Sequence, residues 1–153
     1  MGSKKCPDAI YIIKFVISSC FVSLSVCSLV ALLMSNYIVG FDPGFDGKGK
    51  FEIFVSAVIF APFIETIFMG IFLSGLMALL SGKRSIVVFM SAALWAVLHG
   101  FFFLAWGVVT FFSFAVFSFV FLRFMDYGWR WGFLAAFATH ALHNLAAVSL
   151  GGE

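Results

Sequence analysis

Charge is scarce in this chain: Asp, Glu, Lys and Arg make up 10% of its 153 residues. A soluble domain carries about 25% charged residues, so the shortage excludes one. The few bases stand singly or in pairs, which excludes a nucleic-acid patch and a nucleic-acid partner. Cysteine is limited to Cys6, Cys20 and Cys27. Three thiols in and beside one apolar run make neither a disulfide framework nor a zinc knuckle; they read as small hydrophobes. No small-residue cleavage site follows the first apolar run, and that run exceeds the about 7–15 residues of a signal peptide. It is therefore read as a retained span. Position 6 lacks the Ser or Thr of a myristoylation signal. Strand-like alternation, internal repeats and low-complexity linkers are absent too, which excludes a barrel.

What fills the chain is apolar: 63% of it is hydrophobic, with 23 Phe. A single domain of residues 1–153 cannot hide so much apolar surface from water, so its solvent is the lipid bilayer. A span needs about 20 apolar residues. Candidates are Ala9–Met34, Phe51–Leu80, Ile86–Phe103, Leu104–Phe124 and Gly132–Leu150. The second is overlong and carries Pro62, so a tilt or kink is expected there. The boundary between the third and fourth falls near His99 and Gly100. The fold class predicted is all-α, a polytopic transmembrane helical bundle of about five spans. With the N-terminus cytoplasmic, Lys4, Lys5, Lys14, Lys83, Arg84, Arg123 and Arg130 collect inside. Only Lys48 and Lys50, in the loop that also holds Pro43, lie outside. The excess of positive charge inside favours that orientation.

Against this background four polar residues stand out within the spans: Glu65, His99, His140 and Asn144. An ionisable group near mid-bilayer costs about 2.5–3.5 kcal/mol on insertion scales and is rarely there without a use. Helical rise puts His99 and Asn144 about 20 Å from the inner ends of their helices, Glu65 about 24 Å and His140 about 12–15 Å. One shared level follows, toward the outer half of the membrane. His140 and Asn144, four apart, share a helix face and can offer two donors to an oxyanion. Glu65 can serve as general base, gripping a water together with a His. Two His and one Glu can also ligate zinc, but HExxH is absent; the reading is of no metal and no cofactor, with zinc as the alternative. The competing structural reading is that Glu and His pair simply to lock the bundle. Each neighbour has two readings as well. His143 packs or supports the site, Trp95 packs or lines a substrate groove, and Thr66 bonds its own backbone or supports the site. Phe101–Phe103 reads as lipid-facing bulk.

The residues Glu65-Thr66-Ile67-Phe68-Met69-Gly70, Trp95-Ala96-Val97-Leu98-His99 and His140-Ala141-Leu142-His143-Asn144 resemble three motifs of one family. These are EExxxR, FxxxH and HxxxN of the CAAX protease and bacteriocin-processing (Abi) intramembrane endopeptidases. Ala61-Pro62 precedes the first at the usual offset, and the likeness spans residues 54–147. It implies that Glu65 and His99 activate water and that His140 and Asn144 stabilise the oxyanion. It also implies a bacterial inner membrane and a membrane-anchored protein substrate. Small bacterial members resemble sorting proteases that remove C-terminal anchors, a role that suits an outward site. Thr66, Gly70 and Trp95 depart from the motifs, where the family has Glu, Arg and Phe. The alternatives are a non-catalytic immunity or scaffold protein of the same fold and a proton-coupled carrier.

Overall fold

The structure, a computed structural model, describes residues 7–37 and 47–151. Lys4, Lys5, Cys6 and Pro43 lie outside them. Helix α1 is Ala9–Leu33, opened by Asp8, whose Oδ1 accepts from Ile10 N at 3.1 Å. That side chain satisfies one of the amide donors a helix start leaves free. Helix α2 is Lys50–Leu79, α3 is Arg84–Gly100, α4 is Leu104–Met125 and α5 is Trp129–Gly151. Tight connections join α2 to α3, α3 to α4 and α4 to α5, so consecutive helices run antiparallel. Gly82, at φ 80°, turns the chain after α2, a left-handed conformation that glycine enters without steric cost.

The bundle is all-α, as its apolar runs imply. Helices α1, α2, α4 and α5 are each long and apolar enough to cross a membrane. Helix α3 is also apolar but has 17 residues, the lower limit of a span at about 17–25. The expected kink in the second run takes a specific form. Phe54–Phe60 is π-helical, with i to i−5 bonding, and the helix returns to ordinary pitch at Ala61, one residue before Pro62. The third and fourth runs part at Phe101–Phe103, just beyond His99.

Helix α4 is the core, packed against the other four. Phe117, Val120, Phe121 and Phe124 are fully buried, with Phe114 and Leu122 nearly so. The outward faces are apolar: Phe21, Phe60, Phe68, Phe89 and Phe119 are exposed. Phe101 and Phe102 are exposed too, while Phe103 is partly buried. An apolar exterior on spans of this length makes this an integral membrane protein.

Two polar ties gather one end of the bundle. Arg123 Nη2 donates to Tyr11 Oη at 3.0 Å, joining α4 to the start of α1. Arg84, at the start of α3, pairs with Asp126 just past α4 and donates to Leu122 O at 3.3 Å. The N-terminal ends of α1 and α3 and the C-terminal end of α4 therefore lie together, and this end carries Arg84 and Arg123.

Helices α3 and α4 approach closely at Gly107. A Cβ there would come within 2.5 Å of Ala96 O and 2.7 Å of Gly100 Cα. Both are backbone atoms and cannot swing aside. Gly107→Val is expected to cost about 1–3 kcal/mol or more by overpacking, read as a lowered thermal midpoint in detergent. An unchanged midpoint would show that the two helices are free to separate.

Candidate functional site

The polar residues of α5 divide between two neighbours. His140 and Asn144, on one face, both turn to α2. His140 Nε2 lies 3.6 Å from Glu65 Oε2, and Asn144 Nδ2 donates to Ala57 O at 2.8 Å. His143 is about 60° round the helix and turns to α1, its Nδ1 3.0 Å from the buried Ser23 Oγ. The spacing of four between His140 and Asn144 therefore places two contacts on one partner helix, as helical geometry requires.

The Glu65–His140 contact is looser than a hydrogen bond, so it saturates neither group. The carboxylate is at the rim, its side chain 24% exposed, whereas the imidazole is 4% exposed. Aromatic rings fix the imidazole. Phe117 stacks on it at 4.3 Å between centroids, and Phe114 meets it edge-on at 5.2 Å. The Phe114 ring is the hub of the site. Trp95 stacks on it at 4.5 Å, and His99 lies 5.8 Å away. His99 Nδ1 is 2.9 Å from Trp95 O, one turn earlier in α3, and Trp106 meets its ring edge-on at 4.9 Å. A Nδ1–H donated to that carbonyl would leave Nε2 as the available nitrogen.

Three buried polar atoms have no hydrogen-bond partner among the described residues: Thr66 Oγ1, Trp95 Nε1 and His140 Nδ1. Buried polar groups are satisfied in roughly 90% of cases or more, so each exception calls for an explanation. All three belong to residues in the motifs. Of the two readings of Thr66, a bond to its own backbone is not made. Ser74 and Thr139 make such bonds, to Gly70 O at 2.7 Å and Ala135 O at 2.8 Å. Gly70 is also accounted for. A Cβ there would stand 2.6 Å from the Phe121 ring and 3.0 Å from Trp129, so no side chain fits where EExxxR has Arg. Trp95 is 9% exposed and stacked on Phe114, which makes it part of the packing.

The structure thus brings Glu65 to His140, ties Asn144 to Ala57, and sets His99 beside His140 across Phe114. Zinc requires several such side chains around one point. Among the described residues no three His, Cys, Asp or Glu side chains converge in that way. Residues absent from the sequence reading also shape the site. Ser23 and Ala57 receive the α5 side chains, while Phe114 and Phe117 clamp His140. Pro62, which has no amide hydrogen, was the available signal for Ala57. Nothing distinguishes Phe114 or Phe117 from the other Phe of the chain. Set against known proteins, the chain matches no family model, no curated protein and no solved structure.

The Ser23–His143 tie is testable by a double-mutant cycle. Ser23→Ala and His143→Ala should couple by about 0.6–1.7 kcal/mol, the range for side-chain hydrogen bonds between membrane helices. Strictly additive losses in unfolding free energy would mean that the two groups are mere neighbours.

Proposed function

We propose that the protein is an intramembrane endopeptidase that hydrolyses a peptide bond near the membrane-anchored C-terminal tail of a protein substrate. One observation carries the reading: the unsaturated Glu65–His140 contact, deep within membrane-spanning helices. The three unpartnered polar atoms, all on residues of the motifs, and the resemblance of those motifs to the Abi endopeptidases support it. In the reaction Glu65, as general base, takes a proton from water. The hydroxyl adds to the scissile carbonyl carbon, with His99 orienting the water. His140 donates to the oxyanion, and donors aimed at developing charge are strong in a dry site. The tetrahedral adduct then collapses. The C–N bond breaks, and the proton held by Glu65 passes to the departing amine nitrogen. The products are one carboxyl and one amino terminus, and no covalent enzyme intermediate forms.

The second reading is a non-catalytic membrane protein of the same fold, acting in immunity or as a scaffold. The Asn144–Ala57 and His143–Ser23 bonds favour it, because they employ the motif residue Asn144 and its neighbour His143 as interhelical ties. Cleavage separates the readings. The mass of a co-expressed, tail-anchored substrate should fall when this chain is present and stay unchanged when it is absent.

Glu65→Ala and His99→Ala should each reduce cleavage by orders of magnitude, as loss of one member of a catalytic unit does, with the thermal midpoint near wild type. Near-native turnover by either purified variant would rule out the mechanism.

The proposed orientation has the N-terminus cytoplasmic and the site toward the outer half of the membrane, in a bacterial inner membrane. The end marked by Tyr11, Arg84 and Arg123 is then the inner one. A cysteine at Phe102, which is 83% exposed in the α3–α4 turn, should react with an impermeant thiol reagent added to intact cells. A cysteine at Lys83 should react only once the membrane is opened. Both belong in a background with Cys6, Cys20 and Cys27 replaced by alanine. The opposite pattern would invert the topology.

A further inference from the structure

At the end of the π-helical segment Phe54–Phe60, neither helical register supplies Ala57 O with a backbone donor. Ala57 O can be reached by the amide of residue 61, in ordinary helical register, or of residue 62, in the wide register. Ala61 N–H is committed to Ser56 O. Residue 62 is proline and has no N–H. In water such a carbonyl would be hydrated, but within hydrocarbon a neighbouring side chain must supply the hydrogen. Asn144 Nδ2 does so at 2.8 Å, from a helix more than eighty residues along the chain. Val58, 3% exposed, continues the buried stripe of Pro62, Thr66, Met69 and Leu73. Glu65 is three residues past Pro62 on this same stretch. A one-residue change of register upstream would rotate the two parts of α2 against each other by about 100°.

We propose that Asn144 is a positioning residue: its amide replaces the hydrogen that Pro62 lacks, fixes the wide turn, and so sets the bearing of Glu65 toward His140. The claim about stability stands on the α2–α5 contact alone. The claim about Glu65 rests on the endopeptidase reading.

The test restores the missing amide. Four versions of the full chain in detergent are compared: wild type, Asn144→Ala, Pro62→Ala and the double variant. Asn144→Ala alone should lower the thermal midpoint by about 3–9 °C, the effect of orphaning one buried carbonyl in a chain of this size. In the Pro62→Ala background the same change should lose under a third of that, because residue 62 then offers its own N–H to Ala57 O. Equal losses in both backgrounds would overturn the proposal. If Asn144→Ala does not fold, the double variant should; its failure too would be fatal to the idea. Cleavage of a co-expressed tail-anchored substrate gives the second readout. Pro62→Ala should recover most of the activity lost in Asn144→Ala. An oxyanion donor's loss of about 10²–10³-fold would persist in both backgrounds, and that result would overturn the positioning role. Absence of cleavage by wild type would count against the endopeptidase reading, and the midpoint cycle would still decide the α2–α5 tie.

Discussion

Within hydrocarbon a polar group has only protein to bond with, and this constraint organises the bundle. Apolar burial does little to choose one helix arrangement over another, because lipid tails are as apolar as leucine. Selection falls to close backbone approach and to polar ties. Gly107 lets α4 meet α3, and Gly132 lets α5 meet α4, where a Cβ would come within 2.8 Å of Phe121 O. The ties are few and connect different pairs. Ser23 joins α1 to α5, Asn144 joins α5 to α2, and Ser118 Oγ donates to Ser91 Oγ at 2.9 Å between α4 and α3. At the basic end Arg123 joins α4 to α1. Together these contacts include every helix, so the register of each is specified by at least one directional bond.

The helices were legible because apolar runs broken by Gly, Pro and charge admit few other readings. Boundaries came within a few residues: Lys50–Leu79 against Phe51–Leu80, and Trp129 rather than Gly132 at the start of α5. Rise per residue also brings Glu65 to His140, with His99 near His140 across Phe114, whereas Asn144 meets α2 at Ala57, about two turns from Glu65. What the sequence hid is azimuth, the direction each residue faces. Every face of α4 is apolar, so nothing marks it as the central helix, and nothing marks Phe114 as the ring on which Trp95, His99 and His140 meet. The pairing of Glu65 was hidden for the same reason. Three histidines at suitable depths were available to it, and only packing selects His140.

That selection bears on which polar groups remain free for chemistry. A side chain already bonded in the resting bundle is fixed in direction by that bond, and inside hydrocarbon water does not compensate its loss. Asn144 and His143 are in that position, held by Ala57 O and Ser23 Oγ. Glu65 and His140 are not: their contact is loose, and His140 Nδ1, Thr66 Oγ1 and Trp95 Nε1 have no partners among the described residues. On this criterion the three motifs separate into two kinds of residue. One kind fixes the frame against which the other is aimed. The likeness to Abi endopeptidases assigns the oxyanion to His140 and Asn144 alike, whereas the bonding of this bundle distinguishes them. His140 is clamped by Phe117 with its Nδ1 unsatisfied; Asn144 closes a backbone gap that Pro62 opens. A residue that must complete the scaffold and a residue that must meet a transient charge are under opposite demands on bonding. A spacing of four on one helix face accommodates both, because successive turns of α5 meet α2 at two places: the wide turn at Ala57 and the carboxylate at Glu65.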